Sequence, residues 1–372
     1  MRPGAGRPRH GDAAHPGGAL DAGPHAVRAG RAGPVRAPPE ARAPHGPRRA
    51  PHDPDPSHAP DSPHDRPRGP ARSEAGVIGA LVQELRPKQW TKNLLLFAGV
   101  IFSQHLTNAG MLLRAAGGFV AFSLLAGCVY VLNDLKDVEA DRRHPLKRKR
   151  PIASGRLSPA AAWGALLPLL AIVGAIATWL GSSFAWVAAF YLAFNLAYTF
   201  GLKQLVLVDV FFVAIGFVLR AIAGVQLMRP VAPLTMLSPW LLVCTFFAAL
   251  FLALAKRRRE LTNAGEGAVQ QRAVLDHYSP ELVDGLLTVS AAASLMGYAL
   301  YTIWPETVAK FHTGALLYTV PFVAYGIFRY FYLVRASETT EDPSQVLLTD
   351  RPLAGCVLLY LVAVVVIIYF RT

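Results

Sequence analysis

The 372-residue sequence predicts an all-α, polytopic membrane bundle of about nine transmembrane helices, and three observations carry that expectation. Hydrophobic residues make up 53% of the chain and charged residues only 16%, with a positive mean hydropathy, which is too apolar for an ordinary soluble domain. From residue 93 onward, apolar runs close to the ~20 residues that cross a bilayer core alternate with short polar breaks. The basic residues gather in every second break, as they do on the cytoplasmic side of short membrane loops.

The expected spans are 93–107, 115–133, 160–180, 183–201, 205–227, 237–256, 286–304, 312–334 and 352–370. Backbone polar groups find no water in hydrocarbon, so these runs are read as helices. The first is short and the Gly181-Ser182-Ser183 break is tight, so the count of nine carries an error of one. One side of the membrane receives Arg86, Lys88, Lys92, the eight basic residues of 134–158, Lys203, Lys256 to Arg259, Arg272, Arg335 and Arg351, nineteen in all. The other receives four: Arg114, Arg229, Lys310 and Arg371. This places the N-terminus in the cytoplasm and, with nine spans, the C-terminus outside. The polar loops after spans two, four, six and eight then face the cytoplasm together, so the chemistry is expected there.

Residues 1–72 contain no Phe, Trp or Tyr and are rich in Pro, Gly, Ala, Arg and His. Such a segment buries too little apolar surface to offset its ordering entropy, and it is read as a disordered basic tail ahead of a membrane domain at 73–372. Its 12 Arg against 7 Asp plus Glu give +5 of the chain's total +13. Three roles are open to it: a solvated extension, a weak attachment to anionic lipid, or a start assigned too far upstream, with the protein beginning near Arg72. No apolar core marks it as a secretory signal. Cys128, Cys244 and Cys356 stand alone in apolar runs, with no spacing for zinc, a redox pair or a disulfide framework.

The most informative segment is Asn133-Asp134-Leu135-Lys136-Asp137-Val138-Glu139-Ala140-Asp141, where the second span runs out. On a helix, positions 133, 134, 137 and 141 fall within roughly 100° of arc. Three carboxylates and an amide oxygen on one stripe repel one another unless a cation sits among them. Hard oxygen ligands of this kind suit Mg²⁺, which commonly bridges carboxylate and substrate phosphate. Glu139 points off the stripe. A dense basic run follows, Arg142-Arg143-His144-Pro145-Leu146-Lys147-Arg148-Lys149-Arg150-Pro151, able to hold the anion that the metal carries. Arg142, Lys147 and Arg150 are candidates for phosphate contact, with topology anchoring as the other role open to each. His144 reads as a structural loop histidine.

The run from Asn133 to Asp141, with Arg142, His144-Pro145, Lys147-Arg148 and Arg150-Pro151-Ile152-Ala153-Ser154-Gly155, resembles the first signature of UbiA-type intramembrane prenyltransferases, over about residues 80–370. The resemblance implies a helical bundle around a central cavity open to the cytoplasmic side. A narrower likeness is to the decaprenyl-phosphate phosphoribosyltransferase branch. It rests on Arg86-Pro87-Lys88-Gln89-Trp90-Thr91-Lys92-Asn93, on Asn195-Leu196-Ala197-Tyr198-Thr199-Phe200-Gly201-Leu202-Lys203, on Leu219-Arg220-Ala221-Ile222-Ala223-Gly224, and on Lys256-Arg257-Arg258-Arg259-Glu260-Leu261. The second Asp-x-x-x-Asp motif of aromatic prenyltransferases is missing, since Asp209 is followed by Val210, Phe211, Phe212 and Val213. That departure favours the phosphoribosyl branch.

For that branch the resemblance implies a Mg²⁺-dependent transfer in the plasma membrane, with the active site cytoplasmic: phosphoribosyl pyrophosphate plus a polyprenyl phosphate gives polyprenyl-phosphoryl-phosphoribose and pyrophosphate. Membrane lipid is the other expected partner and nucleic acid is not; the oligomeric state is left open. Asp134, Asp137, Asp141 and Lys203 are the expected catalytic residues, with Asn133 as a fourth metal ligand. Lys92, Tyr198, Asp209, Lys256 and Arg257 complete the expected substrate contacts. Lys203 is read as a phosphate ligand or a snorkelling anchor. Arg220, deep in a span and three turns from Asp209, is read as a pocket residue or as the partner of a buried acid. The loop 257–285 is long enough for a cap over the site, and 336–351 reads as a solvated loop. Prenyl transfer to an aromatic or other small acceptor is the alternative activity. A transporter is disfavoured because the ionisable residues lie at one face and not along a path.

Overall fold

The computed structural model describes residues 74–202, 205–231, 238–264, 277–336, 346 and 349–370. The chain divides into Met1–Pro67 and Arg68–Thr372, and every described residue belongs to the second unit. The expectations for the N-terminal tail, for Lys203, for the middle of the 257–285 cap and for most of 336–351 lie outside the described residues.

The described elements are helical. Helix α1 (Glu74–Glu84) precedes a 3-10 segment, Pro87–Leu96, which continues into the short α2 (Phe97–Phe102). Next come α3 (Ala109–Lys136), α4 (Val138–Arg143), α5 (Pro159–Leu180), α6 (Ser182–Phe200) and α7 (Val208–Gln226). The second half holds α8 (Pro239–Ala264), α9 (Pro280–Ile303), α10 (Pro305–Phe311), α11 (Val320–Ala336) and α12 (Arg351–Phe370). Eight of these are long and apolar enough to cross a membrane: α3, α5 to α9, α11 with the 3-10 turn before it, and α12.

Local chemistry sets the helix starts. Asn108 caps α3 through the Met111 amide at 3.1 Å, Ser158 caps α5 with Pro159 in the first turn, and Ser279 caps α9 with Pro280 in the first turn. Gly181, at φ 117°, makes the tight break between α5 and α6 that a side chain would strain. Leu167, Trp186 and Phe328 point outward, as lipid-facing residues do in a bundle without a solvated apolar-averse surface.

The first expected span, 93–107, is not a continuous helix. The 3-10 segment and α2 together give roughly 29 Å of rise, close to the ~30 Å of a hydrocarbon core, but in two pieces. Two causes are visible. Asn93 is buried and donates to Ser123 Oγ of α3 at 3.0 Å, which fixes the segment polar-side in. Beyond it, the backbone is pressed onto α7 at two glycines: a Cβ on Gly99 would lie 2.1 Å from the Gly224 carbonyl oxygen, and one on Gly224 2.5 Å from that of Leu96.

Helix α7 sits between two apolar cores. Leu219 and Ala223 pack with Phe122, Leu180, Phe184 and Leu227, whereas Val210 and Ala214 pack with Leu254, Val283 and Leu287. At one end of the bundle Arg114 donates to the carbonyls of Leu227 (2.9 Å) and Leu180, capping α5 and the turn after α7. At the other end a chain of polar contacts joins neighbouring helix termini. It comprises Lys136 to the Thr199 carbonyl (2.7 Å), Arg257 to Asp209 (2.8 Å), Arg258 to Asp284 (2.9 Å), and Arg329 to Asp350 (2.9 Å).

The glycine contact predicts that Gly99→Ala destabilises the protein by about 1–3 kcal/mol, because the clash is with backbone and cannot be relieved by a rotamer change. A melting curve in detergent that matched the wild type would contradict this packing.

Candidate active site

The acidic turn folds nearly as its spacing suggests. Helix α3 yields to α4 at Asp137, yet the i to i−4 bonds continue across the junction, from Asp137 N to Asn133 O (2.9 Å) and from Asp141 N to Asp137 O (2.8 Å). Helical spacing is therefore kept, and Asp134 and Asp141 converge. Both are buried, at 4% and 2% exposure. Arg150 Nη1 donates to Asp134 Oδ1 (3.0 Å) and to Asp141 Oδ2 (2.6 Å), one cationic nitrogen between two carboxylates. Asn133 and Asp137 lie on the same stripe and are half-buried.

Two further members of this knot were not among the expected site residues. Arg86 Nη2 donates to both Asp134 oxygens, at 2.8 and 2.6 Å, while its guanidinium lies 4.5 Å from the centre of the Tyr130 ring. Its backbone is left-handed (φ 53°, ψ 62°), directly before Pro87, a conformation that non-glycine residues hold only where the surroundings impose it. Glu84 is buried beside Asp134, and burial first, then the Asp134 carboxyl, pushes its own carboxyl up to about 8. The sequence signal for both was slight: an acid and an arginine flanking Leu85 ahead of a proline.

The other expected residues divide into two groups. Lys92, Tyr198, Lys256 and Arg257 line one cavity of about 1460 Å³, whose remaining wall is mostly apolar and includes Phe217, Leu252, Tyr330 and Tyr360. That volume exceeds the ~300–1,000 Å³ of an ordinary small-molecule pocket. The acidic residues do not line this cavity. Lys136, in the same stretch of chain, donates to the carbonyl of Thr199, the residue after the cavity-lining Tyr198.

Asp209 and Arg220, expected as substrate contacts, are placed elsewhere. Asp209 is fully buried and accepts from Arg257 Nε and the Tyr278 hydroxyl, each at 2.8 Å, so its charge is matched by the neighbouring helix. It orients Arg257, which also pairs with Glu260. Tyr278 in turn accepts from the Leu207 amide at 2.8 Å; burial, then its bond to Asp209, raises its pKa. Among the described residues Arg220 pairs with no acid. It donates to Asn93 Oδ1 (2.7 Å), the Gly216 carbonyl (2.8 Å) and the Tyr191 hydroxyl (2.8 Å), locking α7 to α6 and to the 3-10 segment. Arg142 is exposed, pairs with Glu139 at 2.8 Å and donates to the Ala153 carbonyl at 3.4 Å. Lys147 is half-buried in the short turn after α4. His144 Nδ1 accepts from the amides of Leu146 (3.2 Å) and Lys147 (3.3 Å), which fixes that turn; burial, then Lys147, lowers its pKa.

The donor set suits a hard cation that is completed by a ligand. Among the described residues no three His, Cys, Asp or Glu side chains form a metal cage by themselves. Two buried carboxylates that already meet at a cationic nitrogen are, however, what Mg²⁺ uses when substrate phosphates and water supply the rest.

Residues 94–349 match the model of the UbiA prenyltransferase family. The chain belongs to that family. As a UbiA-family transferase it is 34% identical over 304 residues to the decaprenyl-phosphate phosphoribosyltransferase of Mycolicibacterium smegmatis, covering 79% of this chain and 94% of that one. The enzyme of the same name from Corynebacterium glutamicum is also 34% identical, over 305 residues, with 79% and 88% covered. Among solved structures, a UbiA homolog from Archaeoglobus fulgidus bound to GPP and Mg²⁺ shares the fold, with TM-score 0.60, 19% identity, and 78% and 99% covered. The all-α membrane bundle expected from the sequence is thus the UbiA fold.

The contacts of Arg220 predict a structural phenotype. Arg220→Leu strands Asn93 and Tyr191 in a buried setting, at roughly 1–3 kcal/mol for each unsatisfied group. The variant should show a lowered melting temperature in detergent. Unchanged stability with a selectively raised KM would instead return Arg220 to the substrate contacts.

Proposed function

We propose that this UbiA-family transferase moves phosphoribose from phosphoribosyl pyrophosphate to a polyprenyl phosphate at the cytoplasmic face of the plasma membrane. The observation that carries the reading is the acid–guanidinium knot of Asp134, Asp141, Arg86 and Arg150, in a bundle that also holds a large, mostly apolar cavity lined in part by Lys92, Lys256 and Arg257. The names of the two actinobacterial relatives support it, as does Mg²⁺ in the solved homolog. The nineteen-to-four division of basic residues supports the orientation.

In this reaction an oxygen of the lipid phosphate bonds to ribose C1 while the bond from C1 to the diphosphate oxygen breaks, and pyrophosphate leaves with the electron pair. The lipid phosphate is already an anion, so the protein needs no strong base. It must align two anions and stabilise the departing one. Asp134 and Asp141, with Asp137 and Asn133 on the same stripe, would hold Mg²⁺, which neutralises charge on the leaving diphosphate. Arg86 and Arg150, which balance those carboxylates here, would contact the same phosphates. Lys92, Lys256 and Arg257 present cations at the cavity rim for the lipid phosphate, and Asp209 holds Arg257 in that position. The apolar wall takes the polyprenyl chain and keeps water from the reacting carbon.

Purified protein with Mg²⁺, radiolabelled phosphoribosyl pyrophosphate and a polyprenyl phosphate should yield lipid-extractable label, and chelation should abolish it. Asp134→Asn and Asp137→Asn should each lower turnover by roughly a hundredfold or more while leaving the bundle folded. Absence of lipid-linked ribose, together with transfer of a prenyl group from a polyprenyl diphosphate to an aromatic acid, would overturn this function in favour of prenyl transfer. Near-normal turnover by Asp134→Asn would overturn the metal assignment.

A further inference from the structure

Glu84 is the one member of the acid knot that the proposed reaction leaves without a task. It ends α1 at 1% exposure, and neither carboxylate oxygen has a hydrogen-bond partner. Its polar neighbours are the Asp134 carboxyl, the Arg86 guanidinium and the backbone of Ile152. Three buried acids, Glu84, Asp134 and Asp141, face two guanidinium groups, Arg86 and Arg150. Both guanidinium groups bond Asp134, Arg150 also bonds Asp141, and neither bonds Glu84. A buried carboxyl set beside a second carboxyl, with neither guanidinium bonded to it, is the environment a bound cation resolves.

We propose that Glu84 supplies a further carboxylate oxygen to the divalent-cation site around Asp134, so that ion binding clamps α1 onto the end of α3. The proposal rests on the metal reading of the Asn133–Asp141 segment and adds a ligand from outside that segment. Among the described residues no three acids form a cage by themselves, so Glu84 adds to the ligands of the Asn133–Asp141 stripe, with water or substrate oxygens completing the shell. The clamp has a mechanical consequence. Helix α1 exposes Ile78 (63%) and Val82 (48%) one turn apart on its outer side, so its hold on the protein depends on its inner face and its C-terminal end.

Mn²⁺ titration followed by electron paramagnetic resonance tests this on the full chain in detergent, comparing wild type with Glu84→Gln, Glu84→Asp and Asp134→Asn, and reading hydrogen exchange across α1 in parallel. Glutamine keeps the shape and neutral dipole of a protonated glutamate, so a merely packed, uncharged Glu84 survives the change whereas a ligand does not. Glu84→Gln is expected to weaken Mn²⁺ binding roughly 10- to 100-fold and to remove the metal-induced protection of α1. Asp134→Asn is expected to lose binding. Wild-type Mn²⁺ affinity in Glu84→Gln, alongside loss in Asp134→Asn, overturns the role of Glu84 alone. Wild-type affinity in Asp134→Asn overturns the metal reading beneath it. Should Glu84→Gln fail to fold, Glu84→Asp carries the test: its shortened carboxylate weakens binding if Glu84 is a ligand, and unchanged affinity overturns the proposal.

Discussion

Carboxylates buried at the end of a membrane helix cannot stay charged without cations beside them, and the candidate site of this protein is arranged around that constraint. Asp134 and Asp141 lie about two turns apart on one helical face, and one nitrogen of Arg150 lies between them. To put it there, the chain after α4 turns back along α3, with His144 fixing the turn through the Leu146 and Lys147 amides. Arg86 reaches Asp134 from the other side, held in a left-handed backbone conformation ahead of Pro87. The basic run and the Arg-Pro corner are therefore the counter-charge of the acidic turn. On the proposed reading, they also become its phosphate contacts when a metal takes over part of that duty.

A second constraint shapes the cavity. Its wall is shared between helices that must pack tightly and still leave a large space, and α7 resolves this by presenting different chemistry along its length. Near its start, Asp209 fixes Arg257 at the rim. In its middle, Arg220 gathers Asn93, Gly216 and Tyr191 into one hydrogen-bonded node. Toward its end, Gly224 lets the 3-10 segment approach backbone to backbone. The segment that carries Lys92 to the cavity is therefore positioned by α7, and the rim inherits its geometry from buried contacts well away from the chemistry.

Much of this was legible in the sequence, for reasons that can be named. Eight spans have the length and apolarity that hydrocarbon demands, and the Asn133–Asp141 stripe follows from helical spacing, which survives the break at Asp137. The two-piece first segment was not legible, because hydropathy registers the apolar run and not the glycine contact that flattens it against α7. Asp209 and Arg220 were legible as polar residues in costly positions, but not as to partner. Arg220 was open as a pocket residue or as the partner of a buried acid, whereas it bonds Asn93, Gly216 and Tyr191, and Asp209 pairs with Arg257. Glu84 and Arg86 were missed as site residues because the contacts that define them reach 48 residues or more along the chain, as the Arg86 bond to Asp134 does.

The central claim is that the Asp134–Asp141 turn binds a divalent ion together with the diphosphate of the donor. Electron–nuclear double resonance on the Mn²⁺-loaded protein, with phosphoribosyl pyrophosphate added, reads that association directly. The account predicts a ³¹P coupling of the size that directly coordinated phosphate oxygens give, present in the wild type and absent from Asp134→Asn. Bound Mn²⁺ with no ³¹P coupling, or a coupling that persists in Asp134→Asn, would contradict it.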